Sequence, residues 1–362
     1  VNTADFAALT MGAVQPGREV GGEFIHQMPE ATVLGVCLNV HRRKYPPLDR
    51  LTNVHFFRED GSICDEAGYD KVSQTYFAPS DDLVDVKVSQ HPDSREVRAA
   101  VDLLLVEWLG DMPFPDDASR ANAMAYVLTP FIRGLVPIVP LCVIDGLQMG
   151  VGKNLLADVV SIVATGRVVD PMPFHIDDEA ENRKTLFSAY RRGEQFMVWD
   201  EAHVLSGTDL ARAMTGETYT GRVLGVSTIG TFENKMTWAA LGNRVQVKGD
   251  MTRRVYWVSL HPDGANPHER SESTFHHPDL KEWTRQHRAE LVSACLTLVR
   301  AWFTAGKPVG PSKFASFEQW DRMIRGILTV AEVSGFHDNH EEKQSEGDLV
   351  AKWWFAHLSW LH

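Results

Sequence analysis

The stretch Ile138-Val139-Pro140-Leu141-Cys142-Val143-Ile144-Asp145-Gly146-Leu147-Gln148-Met149-Gly150-Val151-Gly152-Lys153-Asn154 decides how the rest of the chain is read. Its apolar first half, Ile138–Ile144, reads as a buried strand, the glycine-containing part as a loop, and the pattern Leu155–Val163 beyond it as a helix. That order is how a phosphate-binding loop is built. Glycines let the backbone approach closely, N–H groups and the helix N-terminus face the phosphates, and Lys153 reaches the terminal ones. The common pattern G-x-x-x-x-G-K-[ST] would put its first glycine where Leu147 stands, and Gly146, one place earlier, can make the same turn. After the lysine stands Asn154 rather than Ser or Thr, so an amide oxygen replaces the hydroxyl that normally meets Mg²⁺, directly or through water. The nucleotide-binding candidates are therefore Gly150, Val151, Gly152, Lys153, Asn154 and Leu155. Alone, the loop also reads as a Gly-rich turn with an exposed lysine.

Working outward, the apolar run Phe196–Trp199 delivers Asp200-Glu201. An apolar strand ending in adjacent carboxylates is what nucleotide hydrolysis needs: Asp200 to hold the metal shell and Glu201 to orient and polarise the attacking water. The next apolar run, Met236–Leu241, ends in Gly242-Asn243. Asn243 reads as a polar sensor for the attacking water or the γ-phosphate, or as a turn asparagine. Then Gly249-Asp250-Met251-Thr252-Arg253-Arg254 leads into the apolar strand Val255–Leu260. Arg253 or Arg254 reads either as a solvated strand edge or as an arginine finger reaching the γ-phosphate of a neighbouring subunit, with Arg222 a weaker candidate. Strands alternating with helices on this scale predict an α/β fold with a parallel sheet and flanking helices.

Composition bounds the functions open to the chain. With 362 residues, 44% hydrophobic and 23% charged, and with 10 Trp and 17 Phe, global disorder is excluded. The formal net charge is −12, from 36 Lys+Arg against 48 Asp+Glu, which excludes coating nucleic acid by global electrostatics and leaves only local contacts. Cys37, Cys64, Cys142 and Cys295 form no C-x-x-C pair, so reduced thiols in a cytoplasm fit better than a zinc ribbon or a disulfide framework. His261, His268, His276 and His277 lack metal-ligand spacing and read as loop histidines. The first 15 residues show no signal-peptide pattern. The apolar run Ala123–Ile144 contains Arg133, Pro130, Pro137 and Pro140, and so predicts a buried helix and core strand rather than a membrane span. The expected localisation is cytoplasmic. Val1 and the aromatic end (Trp353, Trp354, Phe355, Trp360) suggest an excised piece of a longer protein, although an alternative start codon also explains Val1.

Composition shifts divide the chain. Residues 1–90 are rich in Gly, Pro and Asp with short β-like runs such as Ala31–Val40, predicting a small N-terminal β-rich or irregular module. Residues 91–135 predict a helical connector, with one amphipathic helix from Ser94 to Trp108 and another over Ala118–Leu135. Residues 136–262 form the expected ATPase core and 263–308 a helical lid. In the lid, Asp279 should cap a helix carrying Leu291, Leu298 and Trp302 and stopping at Gly306. Residues 309–362 read as a C-terminal helical, possibly truncated winged-helix, segment with an acidic interruption at Asp338–Asp348.

Gly150-Val151-Gly152-Lys153-Asn154, Val198-Trp199-Asp200-Glu201, Leu241-Gly242-Asn243 and Arg253-Arg254, in this order over residues 138–260, resemble the P-loop NTPase (AAA+) helicase domains of phage, plasmid and mobile-element replication proteins, the superfamily-3-like group often fused to a primase-polymerase. Asp200-Glu201-Ala202-His203 also spells the name motif of another helicase superfamily. That group needs two tandem motors and a Ser-Ala-Thr motif, neither of which follows here. The resemblance implies ATP and Mg²⁺ as cofactors, with Asp200 and Asn154 at the metal and Lys153, Asp200, Glu201, Asn243 and Arg253 or Arg254 in the roles above. It implies a homo-oligomeric ring, usually a hexamer, that translocates on single-stranded or forked DNA without a membrane partner, with any primase-polymerase outside this chain. It also implies a channel hairpin between the acidic pair and the sensor, for which Val226–Lys235 fits, with Lys235 or Lys248 at DNA phosphates. A non-unwinding ATP switch that assembles on an origin or a protein partner is the alternative.

Overall fold

A computed structural model describes residues 17–20, 23–26, 46–222, 229–262, 275–312 and 314–343. Ala31–Val40, His268 and the aromatic end Trp353–Trp360 lie outside the described residues. Two units separate by contact, Val1–Asp49 and Arg50–His362. In the first, Gly17–Val20 and Glu23–His26 pair antiparallel. The second unit carries the main sheet and its flanking helices.

Its centre is a sheet of five parallel strands: β1 (Leu141–Gly146), β2 (Met172–Pro173), β3 (Phe196–Asp200), β4 (Thr237–Asn243) and β5 (Val255–Leu260). Their spatial order is β5-β1-β4-β3-β2. Every residue of β1 and β5 is buried, as expected of parallel strands covered by helices, which read as continuous apolar runs rather than alternating ones. Leu141, Val143 and Ile144 are wholly buried, and each contributes roughly 1.5–3 kcal/mol by leaving water. β1 begins at Leu141 rather than at Ile138, because Pro137 and Pro140 have no N–H to give a ladder.

The flanking helices are α1 (Ser94–Asp102), α2 (Asp117–Ile132), α3 (Lys153–Thr165), α4 (Glu179–Arg192), α5 (Thr208–Thr215), α6 (Leu280–Gln286), α7 (Arg288–Thr304) and α8 (Glu318–Val330). Asp93 starts α1 with a complete capping box: its side chain accepts from the Glu96 N–H and Glu96 returns a bond to the Asp93 N–H. The remainder of the expected helix, Leu103–Trp108, winds as a π-helix. The run containing Arg133 is a buried helix followed by a core strand. Arg133 caps α2 and is itself buried, donating from Nε to the Met236 carbonyl (3.0 Å) and from Nη1 to the Val136 carbonyl (2.8 Å), so its charge is solvated by the chain entering β4. Among the described residues, no helix is long and apolar enough to cross a membrane.

Residues 50–90 carry short strands, in a three-stranded sheet (Arg50–Thr52, Gly68–Asp70, Thr75–Phe77) and a two-stranded one (Phe56–Phe57, Ile63–Cys64), and a 3₁₀ turn at Asp81–Leu83. The lid differs from the expectation of a single helix after Asp279. Asp279 does cap α6, accepting from the Glu282 N–H at 3.0 Å, but the chain breaks at His287 and restarts as α7. The cause is Arg288, which is 1% exposed. It donates from Nε to the Val163 carbonyl (3.1 Å) and from Nη1 to Ser80 Oγ (2.9 Å) and Asp82 Oδ2 (2.8 Å). Reaching those partners sets where α7 begins.

Candidate functional site

In open α/β sheets, ligands bind beyond the carboxyl ends of the strands, where the order of connections reverses. Here the chain leaves β1 across β4 and β3 towards β2, while β5 lies on the opposite side of β1. The carboxyl ends of β1, β4 and β3, which are neighbours in that order, carry the loop, Asn243 and Asp200-Glu201.

The loop from Leu147 to Gly152 turns on Gly150 (φ 78°) and Gly152 (φ 97°), left-handed conformations that glycine adopts without strain. Gly152 caps α3 with no side chain in the way, so the first turn of α3 presents bare N–H groups. Gly146, expected to make the turn, instead ends β1, and its lack of a side chain serves close packing: a Cβ there would lie 2.7 Å from Val151 Cγ2 and 3.3 Å from Lys153 Nζ. Val151 is buried beneath the loop, while Leu147 and Met149 project into solvent.

Lys153 opens α3 and is only 9% exposed. Its ammonium donates to Asn243 Oδ1 at 2.6 Å and to the Gln148 carbonyl at 3.3 Å. Burial lowers its pKa from the ordinary 10.5, opposed by the charges of Asp145 and Asp200. The lysine and the candidate sensor, 90 positions apart, therefore meet directly. Asn154 Nδ2 donates to Asp200 Oδ2 at 3.3 Å, and Asp200 Oδ1 accepts the N–H of Glu201 at 2.8 Å. Glu201 itself is exposed and has φ 52°, a strained value for a non-glycine residue that recurs at functional sites. Leu155 is half-buried, packed against the core one turn into α3.

Asp200 and Asn154 have the donor chemistry for Mg²⁺: a carboxylate and, with its amide turned over, a carbonyl oxygen, with waters and phosphate oxygens as the remaining ligands. Among the described residues, no cluster of three or more His, Cys, Asp or Glu offers a complete protein cage.

The arginine pair divides. Arg254 is buried and turns back on its own 3₁₀ turn, Gly249–Arg254, to the Asp250 carbonyl. Arg253 is half-exposed, with Nη2 at 3.1 Å from Asp250 Oδ1. Arg222 is exposed at the end of the strand Thr218–Arg222, which pairs antiparallel with Ile229–Glu233. These two strands form a hairpin between the acidic pair and Asn243, beginning well before Val226, with its connection 223–228 outside the described residues. One face packs on α4, with the Tyr190 and Tyr219 rings stacked at 4.5 Å and Phe187 against Phe232. Thr218, Thr220 and Thr231 face solvent on the other. Lys235 is half-buried after the hairpin, and Lys248 is exposed just before the turn that carries Arg253.

Three features were missed from sequence. Asp145, the penultimate residue of β1, is 4% exposed and accepts the Val245 N–H at 3.0 Å; an acid closing an otherwise apolar core strand was the available signal. Arg244 is exposed with φ 52° and donates its N–H to the Gly146 carbonyl at 3.1 Å. Beside the loop lies a cavity of about 210 Å³ walled by Met112, Pro113, Val151, Leu155, Pro278 and Leu280. It joins segments so distant in sequence that no motif reports it.

No protein-family profile matches the chain, and no curated protein matches it. Among solved structures, the apo C-terminal region of NrS-1 is similar with a TM-score of 0.45 at 10% identity, over 91% of this chain and 75% of that one. JCV helicase is similar with a TM-score of 0.26 at 13% identity, over 70% and 69%. Likenesses this loose carry no inference about activity. The chain has the α/β fold expected of it, a five-stranded parallel sheet flanked by helices with a helical C-terminal region.

Proposed function

We propose that the chain is an ATP-hydrolysing motor of the AAA+ helicase type, acting as a ring on single-stranded or forked DNA during replication of a mobile element. The observation that carries this reading is the convergence of Lys153, Asn243 and the Asp200-Glu201 pair at three adjacent strand ends, with Lys153 Nζ 2.6 Å from Asn243 Oδ1.

The terminal phosphates of ATP lie on the N–H groups of the loop and the first turn of α3, where the helix dipole favours negative charge. Lys153 leaves Asn243 for the phosphate oxygens, and Asn243 is released to hold the attacking water or the γ-phosphate. Asp200, with Asn154, holds Mg²⁺, which neutralises charge on the phosphates when bound. Glu201 orients the water and takes its proton. The nucleobase and sugar extend into the cavity beside Val151 and Leu155, whose wall also carries Asp111 and His277. Arg253, the exposed member of its pair, reaches the γ-phosphate of a neighbouring subunit, and the hairpin Thr218–Glu233, with Lys235 and Lys248, tracks the DNA backbone.

The test is DNA-stimulated ATPase and strand displacement on a forked duplex. Lys153→Ala should abolish nucleotide binding. Glu201→Gln should keep binding while lowering kcat by about 10²-fold or more. Hydrolysis by the parent without displacement at any fork geometry would replace the helicase by an assembling ATP switch, and intact nucleotide binding in Lys153→Ala would remove the phosphate-loop reading altogether.

A further inference from the structure

We propose that Asp145 is a positioning residue of this site: its carboxylate seats the loop that follows β4 and, through that loop, holds Asn243 against Lys153. The catalytic consequence rests on the hydrolase reading above, whereas the anchoring itself does not.

Asp145 stands near the carboxyl end of β1, between two neighbouring strands. Its backbone is in register with Gly242 of β4 on one side and Ser259 of β5 on the other. Burying a carboxylate there opposes folding, and burial raises its pKa above the ordinary 3.8. For packing alone, an apolar residue would serve as well as it does at the four preceding positions of β1. What the carboxylate adds is an acceptor for the N–H of Val245, two residues beyond the sensor.

That segment is held by β1 on one side and by the chain after Glu201 on the other, where the N–H groups of Gln246 and Lys248 donate to the His203 (2.9 Å) and Leu205 (3.0 Å) carbonyls. After Asn243 the chain reverses through Arg244 at φ 52°, a conformation that needs external support in a non-glycine residue. Two hydrogen bonds pin the reversal to β1: the Arg244 N–H to the Gly146 carbonyl (3.1 Å) and the Val245 N–H to Asp145 Oδ1 (3.0 Å). Beyond them, Gln246–Val247 pairs in parallel with Val204–Leu205, the segment just after Glu201. Gly242 allows the approach on the other side, since a Cβ there would lie 2.5 Å from the Ala202 carbonyl oxygen. The Asp145 bond thus fixes the turn that aims the Asn243 side chain. Its second oxygen faces the C-terminal region, 3.8 Å from Lys343 Nζ. Lys153 from the loop and His261 from the end of β5 are the other charged or titratable groups that act on it.

The experiment compares the parent with Asp145→Ala, which removes the acceptor, and Asp145→Asn, which keeps an oxygen for the Val245 N–H but discards the charge. Hydrogen exchange over residues 243–248, ATP affinity and kcat are measured on each. Asp145→Ala should speed exchange of the segment and lower kcat by about 10- to 100-fold, with ATP affinity within about threefold of the parent. Asp145→Asn should restore both quantities to within about threefold. Unchanged exchange in Asp145→Ala, or an Asp145→Asn protein as impaired as Asp145→Ala, overturns the assignment. If Asp145→Ala does not fold, the Asp145→Asn comparison alone decides, because loss of protection in a folded Asp145→Asn protein is incompatible with anchoring by the hydrogen bond. A parent that hydrolyses no nucleotide, yet whose segment loosens in Asp145→Ala, would refute the hydrolase reading and leave the anchor standing.

Discussion

The carboxyl ends of β1, β3 and β4 and the junction between α6 and α7 both bring distant residues together, but by opposite means. At the strand ends the functional groups follow apolar runs, Asp200 directly, Asn243 after Gly242 and Lys153 after the glycine loop, so burying the strands fixes where they emerge. At the helix junction nothing in the local sequence interrupts the helical pattern, and the break at His287 is imposed by one buried guanidinium seeking the Val163 carbonyl and Asp82. The first region is robust because a period of apolar residues specifies it; the second hangs on a single side chain.

Substitutions can sharpen or break that contrast. The largest effect on folding is expected at the junction. Arg288→Met should destabilise the protein by about 3 kcal/mol, since it leaves the Val163 carbonyl and Asp82 without their donor. Urea unfolding would measure it, and a loss under about 1 kcal/mol would mean that helix packing, not Arg288, sets the break. Gly146→Ala tests the strand-end region from the other direction. Its Cβ, 2.7 Å from Val151 Cγ2, must displace a buried side chain under the loop. Weaker ATP binding by about tenfold, with a melting temperature near the parent's, is expected from titration and thermal unfolding.

The smallest expected effect is on the pH dependence of stability. Asp145 has a folded pKa above its unfolded one because burial disfavours the carboxylate. The native state therefore binds more protons between those two values, and the stability this group contributes is full below the unfolded value and falls as pH rises through the folded one. Asp145→Asn should remove that fall, so that its melting temperature exceeds the parent's at neutral pH by a margin that shrinks as the pH is lowered. A flat difference between the two proteins from pH 4 to 8 would contradict it.

The charge balance reads differently once the fold is known. A net charge of −12 argued against nucleic acid as a global partner. The structure places exposed cations such as Arg222, Lys248 and Arg253 at particular points, the hairpin and the turn before β5, where a local contact needs only a few of them.

Sequence alone determined four of the five sheet strands, Met172–Pro173 excepted, the loop and its glycines, the cap at Asp279, and which residues end those strands. Each of these follows from interactions within a few positions: apolar runs that must be buried, backbone groups that need caps, and turns that need a missing Cβ. Two boundaries moved by a few residues, at Pro140 for β1 and at Arg133 for α2, whereas the hairpin begins at Thr218 rather than Val226 and the helix after Asp279 breaks at His287. Only the tertiary structure decided that Lys153 bonds Asn243, that Asn154 meets Asp200, that Arg254 turns inward while Arg253 stays half-exposed, and that Asp145 lies beneath the sensor loop. Those outcomes depend on which strands become neighbours and at what register, a choice made by the packing of the whole sheet and invisible in any single segment.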